Sequence, residues 1–319
     1  MSADNVLERF AAEVGNEGPV SVRGGATMGD FGGRLNPGTR LLDAPTGVLQ
    51  HHITELTVTV SAGMPVAELE EHLAASGQTT LLPVRPGGTV GGAVAVGHSG
   101  LHSRAVGPMR DSVLGIRAVD SSGRPVRAGG ATVKNVSGFD LCRLFTGSLG
   151  TLALLAEVTL RTRPRWPAEA WLRGGCDAQV AAAVAANATA VLTDGQSSWV
   201  HLAGHHDDVA AQRRDLERAG CGEHVGGPPE LPPHRWSVDP ASLVQPASAM
   251  EAAAVGSWVA EIGVGVVHCA VPQQRGPLPE RVLDLHREVK ARFDPDGRLN
   301  PGRSPLGADL DARSGGVAP

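Results

Sequence analysis

The sequence predicts an α+β protein of two domains, and three observations carry that expectation. In the first half, apolar residues switch between the helical period of 3.6 and the strand period of 2. A long segment from Leu82 to Thr162 holds the block PGGTVGGAVAVGHSG, Pro86 to Gly100, and then the glycine-led run GSLGTLALLAEVTLRTRP, Gly147 to Pro164. With 319 residues, 41% of them apolar, the chain exceeds the usual size of a single hydrophobic core.

The first helix is expected in MSADNVLERFAAEVG, where Val6, Leu7, Phe10 and Val14 share a face. Val20 and Val22 alternate as a short strand, and Arg23 to Gly29 follow as a loop with room for a pyrophosphate, or as a plain β-turn. In LTVTVSAG, Leu56, Val58 and Val60 face one way and Thr57, Thr59 and Ser61 the other, the pattern of a half-buried strand. Pro65 suits a first helical position, Val66, Leu69 and Leu73 share a face, and Gly77 suits the residue past the helix end. Residues 113–128 read as two strands joined at Ser121, Ser122 and Gly123. Lys134 and Asn135 lead through a loop to the Gly147 turn and a strand from Leu152 to Arg161. Pro164 and Pro167 then mark a boundary.

The second half carries weaker signals. Asp177 is expected to cap a helix bearing Val180 and Val184, Ser198 to Leu202 to form a strand, and Asp207 to cap a charged helix ending near Gly220. Residues 226–236 read as a proline-rich loop and 261–272 as one strand. A helix with Val282, Leu285 and Val289 leads to FDPDGRLNPG, Phe293 to Gly302, and the tail beyond Arg303 is polar and expected to be disordered. The resulting division is 1–165, 166–292 and 293–319.

Composition excludes several functions. A net charge of −5 without a basic run argues against nucleic acid. The acidic N-terminus is unlike a signal peptide, and no apolar run approaches the ~18 residues of a membrane span, so a cytoplasmic protein is expected, membrane-peripheral only through partners. Cys142, Cys176, Cys221 and Cys269 lack CxxC spacing, which opposes an iron–sulfur cluster or zinc knuckle and reads as four reduced thiols. His51-His52 and His205-His206 are adjacent pairs that point apart on regular structure, so no metal site is expected.

Five glycines lie between Gly87 and Gly97 with only small or β-branched neighbours, so backbone N–H groups can close on an anionic ligand. A carboxylate placed at Gly91 or Gly92 is expected to abolish such binding while leaving much of the fold. Neither a P-loop nor a GxGxxG fingerprint is present; Gly263 to His268 lacks the third glycine. Yet VRGGATMG, PGGTVGGAVAVGHSG, GPMRDSVLGIRAV, VKNVSGFDLCRLFTGSLGTLALLAEVTL and FDPDGRLNPG occur in the order typical of the vanillyl-alcohol-oxidase-like, PCMH-type FAD-binding family. Together they resemble the FAD-binding subunits of glycolate oxidases.

That resemblance implies a PCMH-type domain of two α+β subdomains around the flavin, with a smaller α+β cap domain. It implies that Arg23, Gly24, Gly25, Ala26, Thr27, Met28 and Gly29 face the pyrophosphate. Pro86, Gly87, Gly88, Thr89, Val90, Gly91 and Gly92 would hug the pyrophosphate and flavin edge, and Ser99 and Gly100 would continue the wall. Gly150, Thr151 and Leu155 would receive the adenosine end. Asn300 would return to the flavin, unless it is only a turn residue before Pro301. Thr27 stands where covalent members place a histidine, so noncovalent FAD is expected. The resemblance also implies a catalytic flavin subunit, an iron–sulfur subunit and a small 2-hydroxy acid substrate.

Oxidising a 2-hydroxy acid takes a base for the hydroxyl proton and a cation for the carboxylate. His98, His102 and Arg104 follow the glycine block, and His268 lies in the cap; each is equally suited to an ordinary surface or strand-end position. A stand-alone FAD-dependent oxidase or dehydrogenase, and a scaffold that has lost FAD, remain alternatives at this level.

Overall fold

A computed structural model describes residues 3–29, 31–130, 139–246, 248, 250, 256–274 and 276–306. The segment of Lys134 and Asn135 and the polar tail beyond Leu306 lie outside these residues. The chain forms two compact units. The first comprises residues 1–100, 108–165 and 277–319; the second comprises 101–107 and 166–276.

In the first unit, helix α1 (Ala3–Val14) buries Leu7, Phe10, Ala11 and Val14 against Val20, Val119, Leu154 and Leu299. Strands β1 (Val20–Arg23) and β2 (Arg40–Asp43) pair in parallel. Strands β3 (Val48–His52) and β4 (Thr57–Ser61) open the main sheet, and α2 (Val66–Ala74) and β5 (Gln78–Thr79) follow. The β4 strand is covered on both faces rather than one: Thr57 is 6% and Ser61 0% exposed. Its alternation reflects two environments inside the protein, not core against water. Pro65 is the N-cap of α2 rather than its first turn, while Val66, Leu69 and Leu73 are buried and Gly77 takes φ +66°.

The glycine block is half loop and half helix. Residues Val90–Val96 form α3, with Thr89 as N-cap accepting from Gly92 N at 3.2 Å and Gly97 ending it at φ +72°. Residues 103–106 make the short α4, which belongs to the second unit. Strands β6 (Val113–Val119) and β7 (Pro125–Gly129) form the expected hairpin; Asp120 Oδ1 accepts from the N–H groups of Ser122 and Arg124, and Gly123 takes φ +79°. Helix α5 (Leu141–Phe145) precedes β8 (Leu154–Arg161), and β9 (Arg163–Pro164) pairs with β5. The five-stranded sheet runs β3-β4-β8-β6-β7. Arg117 and Glu157 pair across β6 and β8 at 3.0 Å, with the Glu157 side chain 1% exposed.

The second unit is one antiparallel sheet backed by helices. In chain order its elements are β10 (Ala168–Gly174), α6 (Ala178–Val184), β11 (Ala190–Thr193), β12 (Ser198–Gly204), α7 (His206–Arg218), β13 (Cys221–Val225), β14 (His234–Ser237), β15 (Trp258–Glu261) and β16 (Val266–Cys269). The strand order is β13-β10-β12-β11-β15-β16-β14. Asp177 does cap α6, accepting from Gln179 N and Val180 N, but Val180 and Val184 are exposed and the buried face is Ala178 and Ala181. His205, not Asp207, is the N-cap of α7. The proline-rich loop yields to a strand at His234. Residues 261–272 are two strands of a hairpin rather than one, because Gly263 and Gly265 take φ +80° and +78° and reverse the chain.

The four-thiol expectation needs correction: Cys176 and Cys221 form a disulfide, their Cα atoms 5.7 Å apart. Cys142 and Cys269 are buried thiols, each pushed up to about 11 by burial. Among the described residues no helix is long and apolar enough to cross a membrane.

Helix α8 (Glu280–Phe293) packs in the first unit, so the division at 292 does not describe the fold. Its buried anchor is Leu283, with Val289 and Phe293 against the core; Val282 and Leu285 face outward. Phe293 meets Phe145 edge-on, 5.8 Å between ring centres. Beyond α8 the chain returns beside β1: Val20 N donates to Arg298 O at 2.8 Å and Asn300 N to Val20 O at 2.9 Å.

Arg298 holds this return in place. Its guanidinium donates to the carbonyls of Val14, Gly15, Glu17, Gly18 and Ser121 at 2.6–3.2 Å, and the side chain is only 5% exposed as part of its residue. It thereby ties the end of α1 and the β6–β7 turn to the C-terminal segment. Hydrogen bonds to a charged donor contribute about 1.5–3 kcal/mol each, and the orphaned carbonyls would add to the loss. Arg298→Met is therefore expected to destabilise the first unit by about 3 kcal/mol or more and to lower its melting temperature by roughly 5–10 °C. A thermal melt unchanged within a degree would contradict this role.

Candidate functional site

A single cleft in the first unit gathers the glycine loops, β1, β2, α3 and the C-terminal return, enclosing about 1220 Å³ of atom-free space including its open mouth. The part of the cleft that can hold ligand atoms is about 260 Å³, near the lower end of the roughly 300–1,000 Å³ usual for small-molecule sites. Of the residues expected to hold a cofactor, Arg23, Gly24, Gly25, Ala26, Thr27, Met28 and Gly29 line it. Gly88, Thr89, Gly91, Gly92, Gly150, Leu155 and Asn300 do so as well.

Six expected residues do not line it. Val90 is fully buried in the core beneath α3. Thr151 turns inward, its hydroxyl on Ser148 O at 2.7 Å and its carbonyl taken by Lys290 Nζ at 2.7 Å. Ser99 accepts from Met109 N at 3.0 Å, and Gly100 packs beside Leu81 O. Pro86 and Gly87 are exposed. Arg85 and Arg303 line the cleft although neither was expected to; both flank motifs already recognised, PGG and NPG, which is the signal that points to them.

The contact between the two glycine loops is main chain to main chain. A Cβ on Gly25 would lie 1.5 Å from Gly87 O, and one on Gly24 would lie 2.3 Å from Thr89 Oγ1. Only glycine permits this approach. In front of it, the N–H groups of Gly25, Ala26, Thr27, Met28 and Gly29 donate to no acceptor among the described residues. A run of free N–H groups in a turn is an anion-binding concavity. The lining also includes the cations Arg23, Arg85 and Arg303 and, among the described residues, no carboxylate. Arg23 pairs with the exposed Asp43 at 2.8 Å, and Arg303 Nη2 donates to Gly29 O at 3.2 Å, fastening the loop to the C-terminal return.

Asn300 supplies the complementary acceptor. It sits at φ +46°, its Nδ2 donates to Leu149 O at 2.8 Å, and its buried Oδ1 has no hydrogen-bond partner among the described residues. An unpartnered buried acceptor costs about 1–3 kcal/mol unless a ligand donor meets it. Donors for anionic phosphates on one wall, an orphan acceptor on another and apolar Leu149, Leu154 and Leu155 between them fit an FAD dinucleotide.

The catalytic candidates are dispersed. His98 belongs to the first unit, edge-on to Phe31 at 5.0 Å. His102, Arg104 and His268 belong to the second. Arg104 donates to Ile262 O and Ala182 O, both at 3.4 Å, so its guanidinium serves main-chain carbonyls rather than standing ready as a carboxylate clamp. His268 Nε2 is engaged by Glu261 Oε1 at 2.8 Å across the β15–β16 hairpin. His102 alone of these sits in a cluster of titratable and aromatic groups, with Thr189, His201 and Trp166. Burial holds its pKa below the usual imidazole value. Among the described residues no group of three or more His, Cys, Asp or Glu is placed to hold a metal.

The wall geometry separates two glycines that look alike in sequence. A Cβ on Gly91 would lie 2.6 Å from Ala62 Cβ, so Gly91→Asp disrupts packing, contrary to the expectation that it spares the fold. A Cβ on Gly92 meets only Thr89 Oγ1, at 3.2 Å. Gly92→Asp is therefore expected to fold with near-native circular dichroism yet to weaken FAD binding by about a hundredfold or more through like-charge repulsion. Full flavin occupancy in that variant, measured by absorbance after purification, would exclude this wall from the site.

Comparison with known proteins agrees with the geometry. Residues 2–129 match the model of an FAD binding domain, and residues 242–304 match that of the C-terminal domain of FAD linked oxidases. The glycolate oxidase subunit GlcE of Escherichia coli is 27% identical over 93% of this chain and 96% of its own length. A D-lactate dehydrogenase of Archaeoglobus fulgidus is 35% identical, over 46% of this chain and 34% of the relative. The solved structure of an alkyldihydroxyacetonephosphate synthase superposes with a TM-score of 0.68 at 14% identity, covering 94% of this chain and 74% of that one, which supports the fold. With an α+β fold, an N–H loop that meets no acceptor among the described residues and two matching family models, the chain is an FAD-binding oxidoreductase similar to the FAD linked oxidases.

Proposed function

We propose that the chain is the FAD-binding subunit of a glycolate, or closely related 2-hydroxy-acid, oxidase complex. The observation that carries this reading is the end-to-end correspondence with a protein named as a glycolate oxidase subunit, combined with a cleft whose donors, acceptor and apolar walls suit FAD. When bound, FAD supplies the hydride acceptor for alcohol oxidation. The N–H groups of residues 25–29 would hold the diphosphate, Arg23, Arg85 and Arg303 would neutralise it, and Asn300 Oδ1 would receive a donor of the cofactor.

For a 2-hydroxy acid the hydride acceptor would take the C2 hydrogen with its electron pair, and a residue of the complex would have to take the hydroxyl proton. The product is the 2-oxo acid. Of the histidines on this chain, His268 is engaged by Glu261, and His102, held in the Thr189–His201–Trp166 cluster, is the one we assign as a proton acceptor once the partner completes the site. The partners would be a catalytic flavin subunit and an iron–sulfur subunit. Electron exit by iron–sulfur chemistry requires the latter, because the cysteines here comprise one disulfide and two separate buried thiols.

Thr27 lines the cleft where a histidine would carry a covalent bond, so the flavin is held by noncovalent contacts alone. Acid precipitation of the holoprotein is expected to release all yellow colour to the supernatant; colour retained in the pellet would contradict this. Anaerobic mixing of the holoprotein with glycolate and D-lactate tests the subunit reading. Slow or absent bleaching by the isolated chain, and rapid bleaching once the catalytic subunit is present, is the expected result. Rapid bleaching of the isolated chain would instead favour a self-sufficient enzyme.

A further inference from the structure

We propose that Glu169, His201 and Thr189 form a relay in the second unit that fixes His102 in one tautomer, with Nδ1 protonated and Nε2 bare as a proton acceptor. Strand register builds the relay. On the antiparallel β10–β12 pair, His201 lies opposite Trp171, and Glu169, two residues before Trp171, shares its face. Thr189 precedes β11 and its N–H donates to His201 O at 2.9 Å, bringing its hydroxyl to His201 Nδ1 at 2.5 Å. His102, at the N-cap of α4, brings its Nδ1 within 3.1 Å of the same hydroxyl.

Proton counting then leaves one arrangement. Glu169 Oε2 lies 3.4 Å from His201 Nε2, and a bare lone pair facing a carboxylate is repelled, so Nε2 carries the proton. A neutral imidazole has one N–H, which makes His201 Nδ1 an acceptor, and its near donor among the described residues is the Thr189 hydroxyl. The competing acceptor for that proton, His201 O, is 3.5 Å away and too distant to win it. The hydroxyl has no second proton, so it can meet His102 Nδ1 only by accepting. His102 must therefore donate from Nδ1, and its Nε2 is left as a lone pair.

The surroundings favour the neutral rings this counting requires. His201 is 2% exposed, and burial, with His102 beside it, pushes its pKa down to about 4; burial also lowers that of His102. Trp166 lies edge-on to His102 at 5.3 Å and Trp171 tilts over His201 at 4.8 Å, restraining both rings. Thr189, His201 and Glu169 are positioning residues on this account, and His102 Nε2 is the atom that would accept a substrate proton. That catalytic use rests on the function proposed above, whereas the tautomer does not.

Long-range proton–nitrogen NMR of the uniformly ¹⁵N-labelled full chain at neutral pH decides the tautomer, with His102 assigned by the signals lost in His102→Gln. The expected pattern is a protonated Nδ1 and an unprotonated Nε2 on His102, changing in Thr189→Val toward the Nε2–H form and restored in Thr189→Ser. An Nε2–H tautomer in the wild-type chain overturns the relay, even where Thr189→Val fails to fold. In the assembled oxidase, Thr189→Val is expected to slow flavin reduction about 10- to 100-fold with KM within about twofold, a part of the usual worth of a general base. An altered tautomer with an unaltered reduction rate would keep the relay and reject His102 as the base.

Discussion

Gly25 and Gly87 meet backbone to backbone, and the cofactor cleft depends on that approach. Because Gly25 has no side chain, the loop before Phe31 can lie against the loop before α3. Its N–H groups from Gly25 to Gly29 make no hydrogen bond among the described residues. Unpaired donors in a folded loop need water or an anion. Arginines on the walls and the absence of carboxylates among the described lining residues favour the anion.

The C-terminal return makes the arrangement permanent. Asp294 accepts from Arg298 N and Leu299 N, Arg298 gathers carbonyls from two segments, and Asn300 closes beside β1. One short stretch thus connects the stability of the first unit to the shape of its site. Arg303 extends the link by holding Gly29 O. A chain cut before this return would lose both the orphan acceptor of Asn300 and the clasp on the loop.

Much of the first unit was legible in the sequence because its signals are local. Glycine clusters, the hairpin at Ser121 to Gly123 and the apolar face of α2 each announce themselves within a dozen residues. The packing at the cleft was less legible: Gly91 and Gly92 are neighbours of one type that both line it, yet only Gly91 packs tightly against Ala62. Amphipathic reading also failed where alanine replaces larger residues, as in α6, whose buried face is Ala178 and Ala181 while its valines are exposed. The disulfide and the His102 cluster escaped for a different reason. Cys176 meets Cys221, and His102 meets Thr189 and His201, only through strand pairings separated by tens of residues.

The central claim is that the loop from Gly25 to Gly29 recognises the diphosphate of FAD. Binding of FAD and of riboflavin to the apoprotein, compared by fluorescence titration at fixed ionic strength, tests it directly. Two or more charge-assisted hydrogen bonds, at about 1.5–3 kcal/mol each, predict FAD tighter than riboflavin by at least about a hundredfold, with the gap narrowing as salt is raised. Equal affinities for the two flavins would contradict the account.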